Sequence, residues 1–210
     1  PTWDQPMPAD VTVECDAVPA IPTNITASDN CDADVTVTFN ESRTDGTCPD
    51  SYTLTRTWTA TDNCDNSITH VQVITVQDTE APTFDFVPAD VTVECDAIPA
   101  VGTPTASDNC DADVTIVYNG ENRIDGACAD SYTLTRSWTA TDNCDNSTTV
   151  TQTITVQDTQ DPTWDVNPMP ADVTVECDAV PAVPTNITAS DNCDADVTVT
   201  FNESRTDGTC

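Results

Sequence analysis

The chain repeats itself. Pro1-Thr2-Trp3-Asp4 returns as Pro82-Thr83-Phe84-Asp85 and again as Pro162-Thr163-Trp164-Asp165, so two units of about 80 residues are followed by part of a third. Each unit carries Pro-Ala-Asp-Val-Thr-Val-Glu-Cys (8–15, 88–95 and 170–177) and then Ala-Ser-Asp-Asn-Cys-Asp-Ala-Asp-Val-Thr (27–36, 106–115 and 189–198). Self-similarity at a fixed spacing marks an array of small modules. The expected domains are 1–81, 82–161 and a truncated 162–210. Residues 1–48 match 162–210 almost letter for letter while the middle unit differs more, which reads as a period of two modules in a window on a longer polymer.

Within a unit the pattern is that of strands. Residues 90–95 and 114–118 alternate at period two, and 132–141 alternate over the whole run; 99–107, with its prolines, reads as an extended edge, and 147–156 as the last strand. No segment reads as a helix. Five to seven short strands fit an all-β fold of tandem immunoglobulin-like antiparallel sandwiches joined by short linkers. On the long strand Tyr132, Leu134, Arg136, Trp138 and Ala140 share the core face. Arg136, like Arg56, therefore needs a partner, for which Glu94 is the candidate, or a place at the rim where it reaches water.

Composition narrows the function. Five Lys+Arg against 37 Asp+Glu give a formal net charge of −32. Such a surface repels phosphate backbones and anionic lipid, so nucleic acid and membrane insertion are not expected and the natural small partners are cations. So acidic a chain would suit disorder, but the alternating runs argue for order. No apolar run is long enough to span a bilayer. Eleven Cys point to disulfides made outside the cell, because a reducing cytosol would leave so many thiols free, and a unit this small needs covalent bracing. Zinc sites favour Cys pairs two to four residues apart, which are lacking here. The single His70 corresponds to Val150 in the next unit, and no nucleophile and base recur together, so an enzyme is not expected.

The order Pro-Ala-Asp-Val-Thr-Val, Ala-Ser-Asp, Tyr-Thr-Leu-Thr-Arg-Ser-Trp-Thr-Ala-Thr-Asp, Asn-Ser and Ile-Thr-Val-Gln-Asp resembles the hyalin repeat (HYR) family, and is similar to the HYR-like modules of giant secreted bacterial surface proteins and adhesins. The resemblance implies an immunoglobulin-like sandwich and a role in adhesion. Two departures stand out. Asp65 and Asp145 occupy the place where the family usually has Gly before Asn66 and Asn146, and Val87 and a last-strand Gln or Thr stand at its usual cysteine positions, so its disulfide pairing does not transfer.

Four cysteines per full unit allow three pairings. The expected topology ranks first the pairs Cys95 with Cys128 at one pole and Cys110 with Cys144 at the other. By the same logic Cys15 joins Cys48, Cys31 joins Cys64 and Cys177 joins Cys210, leaving Cys193 over. Each such bridge closes about 33 residues, worth roughly 3 to 4 kcal/mol.

The turns 108–113 and 142–146 gather side-chain oxygens, which suit Ca²⁺. The joint Val-Gln-Asp-Thr-Glu-Ala-Pro-Thr-Phe (76–84) is similar to the calcium-stiffened linkers of cadherins, and that likeness implies Asp78 as a ligand. The expected ligands are Asp78, Asp108, Asp111, Asp113, Asp142 and Asp145, with no organic cofactor; the competing reading is that these Asp and Asn residues simply form turns. The favoured function is a structural segment of an extracellular, cell-surface filament or stalk, whose partners are neighbouring repeats and which self-assembles into fibres. The alternative is an adhesin repeat presenting a glycan- or cell-binding tip. Sequons at Asn24, Asn40, Asn146, Asn186 and Asn202 are weak glycosylation candidates that would make it a glycoprotein.

Overall fold

The computed structural model describes residues 1–166 and 169–206. The first repeat is built from β1 (Thr2–Trp3), β2 (Val11–Glu14), β3 (Ala27–Ser28), β4 (Thr36–Asp45), β5 (Tyr52–Thr61) and β6 (Ser67–Gln77). The second has β7 (Thr83–Phe86), β8 (Val91–Glu94), β9 (Thr105–Ser107), β10 (Thr115–Asp125), β11 (Tyr132–Thr141) and β12 (Ser147–Gln157). One 3₁₀ turn, Cys15–Ala17, is the sole helical piece among the described residues. The fold is all-β, with tandem immunoglobulin-like repeats. Each has a four-stranded sheet, ordered β2-β6-β5-β4 or β8-β12-β11-β10, and a two-stranded one, β1-β3 or β7-β9.

The chain divides into two compact units that do not coincide with the repeats. The first holds Pro1–Pro88, Thr103–Gly120 and Ser137–Thr151; the second holds Ala89–Gly102, Glu121–Arg136 and Gln152–Cys210. The division crosses the sheet of the second repeat, so each unit contains one whole junction between consecutive repeats.

The long strands form where alternation is strongest. Along β5 and β11 every second residue from Leu54 to Ala60, and from Leu134 to Ala140, is buried, so the predicted core face is the observed one. Leu54, Ile74 and Val76 make the centre of the first repeat, with Val13, Cys15, Val18 and Tyr52 packed on them; Leu134, Ile154 and Val156 do the same in the second, with Cys95 among their neighbours. Trp58 and Trp138 are fully buried and meet Phe39 and Tyr118 in tilted pairs, with centroids 5.2 and 5.5 Å apart.

The second strand of each repeat departs from the antiparallel expectation. β2 runs parallel to β6, Val11 opposite Ile74 and Glu14 opposite Gln77, and β8 runs parallel to β12 in the same register. A second and a last strand that both run from one pole of the module to the other must be parallel where they meet. The Pro-Ala-Asp motif fastens that pairing. Asp10 accepts the Val73 N–H at 2.7 Å and Ala9 takes the Gln72 amide; Asp90 with Thr153 and Ala89 with Gln152 repeat the arrangement. The single histidine serves the same purpose: His70 Nε2 lies 2.8 Å from the Pro8 carbonyl oxygen, with its ring against Trp58.

Arg136 is buried, and its partner is Glu121, not Glu94. Its Nε donates to Glu121 at 2.7 Å, and its terminal nitrogens donate to the carbonyls of Ala100 and Pro99. Arg56 pairs with Glu41, which lies directly across the β4–β5 ladder. Glu94 is out of reach because it ends β8, where it accepts the N–H and hydroxyl of Thr159.

In the third repeat only β13 (Thr163–Trp164) and β14 (Ala189–Ser190) form among the described residues. The sequence contains no counterpart of β5 and β6, so residues 171–176 have no last strand to run beside. Val173, Val175 and Phe201 stay exposed, and Trp164, Pro170, Ile187, Val199 and Phe201 line an open groove of about 480 Å³.

Removing one side of a buried ion pair leaves the other charge uncompensated. Arg136→Ala is therefore expected to lower stability by about 3 kcal/mol or more, and Glu121→Gln, at a position one-third exposed, by roughly 1 kcal/mol. Urea unfolding followed by tryptophan fluorescence measures both.

Candidate functional site

The chemistry gathers where one repeat meets the next. At the end of β2 the sequence Glu14-Cys15 faces the linker that follows β6. Glu14 accepts the Thr79 hydroxyl at 2.7 Å and the Thr79 N–H at 3.0 Å, and these bonds hold its carboxyl below the ordinary range. Glu94 and Thr159 repeat the clasp at the second junction, with the same effect on Glu94. The linker is thereby fixed to the strand end it passes.

The turns of the following repeat are built by their own carboxylates. Asp108 accepts the N–H groups of Cys110 and Asp111, and Asp142 accepts those of Cys144 and Asn146. Asp65 and Asp145 have φ of 65° and 69°, in the left-handed region, which explains why a glycine suits this place and why Asp is tolerated there. Gly46 and Gly126 shape the loops that carry Cys48 and Cys128: a Cβ on either would collide with the carbonyl of Ser51 or Ser131.

Sulfur joins the repeats to each other. Cys15 is bonded to Cys110 and Cys48 to Cys144, with Cα atoms 5.7 and 5.2 Å apart; at the second junction Cys95 is bonded to Cys193, at 5.7 Å. This corrects the expected pairs Cys15–Cys48, Cys31–Cys64, Cys95–Cys128 and Cys110–Cys144. In all three bridges a cysteine of one repeat reaches across the junction to a turn of the next, and none joins two cysteines of the same repeat. Cys31, Cys64, Cys128 and Cys177 remain exposed thiols. Cys193, expected to be left over, is paired, and the expected Cys177–Cys210 bridge involves Cys210, which lies outside the described residues. Each observed bridge spans 95 to 98 residues, worth roughly 4 to 5 kcal/mol on the loop-entropy model. Direct bonds reinforce the first junction, where Asn143 donates to Asp50 at 2.7 Å and Asn146 to the Asp78 carbonyl at 3.3 Å.

Of the six expected metal ligands the structure brings three together. Oxygens of Asp78, Asp108 and Asp142 lie within 4.8 Å of one another. Asp78 is only 8 % exposed, and its carboxylate oxygens make no well-formed hydrogen bond, the Glu80 N–H acting on them only weakly. Burial and the charges of Asp108 and Asp142 push its pKa up to about 6. Asp111 is buried, Asp113 and Asp145 are exposed, and none of the three joins that group. Two further groups, Glu14 with Asp78 and Cys110, and Glu94 with Asp158 and Cys193, each contain a disulfide sulfur and a glutamate already engaged by threonine. A buried carboxylate pair of lone oxygens among two more carboxylates fits a hard cation, since oxygens each about 2.4 Å from one calcium lie within about 5 Å of each other. The Glu14–Thr79 clasp escaped the sequence reading, although Val-Thr-Val-Glu-Cys recurs in step with Gln-Asp-Thr.

The sequon candidates separate by exposure. Asn24, Asn40, Asn186 and Asn202 are exposed. Asn146 is not free, because its amide nitrogen donates to Asp78 and Asp142.

A profile of HYR-like domains with four cysteines matches residues 3–76 and 85–156. The chain belongs to that family, as tandem, disulfide-bonded immunoglobulin-like repeats. Solved structures with similarity include protocadherin gamma B2 extracellular cadherin domains 1–5 (18 % identity, TM-score 0.31, covering 75 % of this chain and 40 % of that one). Drosophila N-cadherin EC1-4 is similar at 14 % identity and TM-score 0.31, covering 79 % and 53 %, and human protocadherin-24 EC1-2 at 14 % and 0.30, covering 76 % and 99 %. The chain thus spans about half or less of the first two. No curated protein matches the sequence.

The Asp78 carboxyl gives a pH signature. Its ordinary pKa is 3.8, so between there and about 6 the folded chain holds a proton that the unfolded chain has lost, and the contribution of this group to stability falls as pH rises through that window. With chelator present, Asp78→Asn is expected to be more stable than the parent at about pH 7 and to lose that advantage near about pH 4. Urea midpoints of the two chains across that range check it.

Proposed function

We propose that the chain is a structural segment of an extracellular filament or surface stalk, in which consecutive repeats are locked end to end. What supports this reading is the first junction. Two disulfides, the Glu14–Thr79 clasp and the Asn143–Asp50 bond all act between one module and the next or on the linker that joins them, where a string of independent domains would be free to bend. A disulfide needs an oxidising compartment to persist, which agrees with a secreted, cell-surface setting. The bracing differs in kind from intramodule crosslinks: Cys15 packs on the core of its own repeat while bonded to the next, so tension on one module passes directly to its neighbour.

Calcium completes the first junction in this proposal. Asp78, Asp108 and Asp142 would hold it, and the ion would supply the positive charge that three crowded carboxylates lack. Asp78 belongs to the linker while the other two belong to turns of the second repeat, so binding would tie linker to module. The expected result is a melting temperature that rises with added Ca²⁺ in the parent and does not in Asp78→Asn. A parent chain with the same melting temperature in calcium and in chelator would remove the ion from the account.

Electron microscopy of purified native material tests the wider reading. Continuous uniform fibres are expected, with neighbouring repeats as the principal partners. Isolated rods ending in a knob would favour an adhesin stalk whose tip binds glycan or another cell.

A further inference from the structure

Among the described residues every paired cysteine bonds to the neighbouring repeat, and the unpaired ones show how the pattern extends. The cysteine after the second strand of a repeat bonds to the Asp-Asn-Cys-Asp-Ala turn of the next, as Cys15 does with Cys110 and Cys95 with Cys193. The cysteine in the loop before the long fifth strand bonds to the Asp-Asn-Cys-Asp-Asn turn of the next, as Cys48 does with Cys144. Cys31 and Cys64 occupy the positions of Cys110 and Cys144 in the first repeat, and both are exposed thiols. We propose that Cys31 and Cys64 form a two-thiol acceptor for the trailing end of another repeat of this same kind, so that the array is crosslinked covalently and in one direction only.

The acceptor is already shaped. Asp29 accepts the Cys31 N–H at 2.8 Å and Asp62 accepts the Cys64 N–H at 2.9 Å, the bonds that Asp108 and Asp142 make to the bonded cysteines of the second repeat. The two turns are tied together, since the Asn63 N–H donates to Asp32 at 2.8 Å. Little backbone ordering is left to be done when a partner arrives. Donor-type thiols are exposed too: Cys128 of the second repeat stands in the position of Cys48, and Cys177 of the third in that of Cys15. Because the second strand's cysteine and the turn cysteines lie at opposite poles, a trailing end can meet only a leading end. The pairing is therefore polar.

Each bond forms from two thiols, which lose two protons and two electrons. A disulfide oxidant, such as oxidised glutathione or a dithiol oxidase, takes them up as its own sulfur–sulfur bond opens to two thiols. The inference rests on the junction geometry and is independent of the filament reading, so a failed imaging experiment leaves it standing.

The test adds a repeat. Residues 82–161 are duplicated ahead of Pro1, giving a new joint Val-Gln-Asp-Thr-Gln-Asp-Pro-Thr-Trp that is identical to 156–164. After refolding in a glutathione redox buffer, thiols are labelled with maleimide and peptides mapped without reductant. Cys31 is expected to be bonded to the added copy of Cys95 and Cys64 to the added copy of Cys128, while the added copies of Cys110 and Cys144 become the labelled pair. Replacing the added Cys128 with Ser should free Cys64 and leave Cys31 bonded. A Cys31–Cys64 bridge, or continued labelling of both in a folded extended chain, overturns the proposal. Should the extended chain not fold, labelling of the parent decides. Cys31 and Cys64 must both be modified there, and finding them joined to each other is equally fatal.

Discussion

A half-buried sulfur atom packed against the core of one repeat is bonded to a turn of the next, and the remaining features of each junction gather around that link. Cys15 packs with Leu54, Ile74 and Val76, so its bond to Cys110 connects the best-packed part of the first module to the leading end of the second. Around 80 residues enclose only a modest core, and such a module alone is marginal. Bridging consecutive modules couples their unfolding: neither can open fully without dragging on its neighbour, which is the nearest-neighbour term that stabilises repeat arrays. An intramodule bridge would have stabilised each bead and left the string limp.

The acidity of the chain follows from the same placement. Carboxylates build the turns that present the cysteines, as Asp108 does for Cys110 and Asp142 for Cys144, and they therefore collect at the junctions. Most are satisfied by backbone N–H groups. Asp78 is not, and its buried oxygens beside Asp108 and Asp142 are an electrostatic cost that the fold retains at the one position where linker and turns converge. In the proposed function a divalent cation would neutralise that cluster.

Much of the module was legible in the sequence. The alternation over 132–141 gave β11 its bounds and its buried face, with Arg136 on it. Three features were not legible, each for a physical reason. Alternation is the same in parallel and antiparallel strands, so the parallel pairing of β2 with β6 left no mark. β10 runs on through Asn119, Gly120, Glu121 and Asn122 to Asp125, an exposed edge where no core imposes a hydrophobic period, and the partner of Arg136 lay in that unread stretch. The cysteine pairing is ambiguous by construction. In a repeated sequence the neighbour's turn is spelled like one's own, so Cys15 has the same local evidence for Cys31 or Cys110 as a partner, and only three-dimensional placement separates them. The ligand group shows the same limit: the acidic turns and the cadherin-like joint named six aspartates, and geometry brings three of them together.

Peptide mapping of the purified native chain, with thiols alkylated in acid before digestion and no reductant added, tests the central claim most directly. The account expects the Cys15 peptide joined to that of Cys110, Cys48 to Cys144 and Cys95 to Cys193. Recovery of Cys15 with Cys48 and of Cys110 with Cys144 would show that each module is closed on itself, and would contradict it.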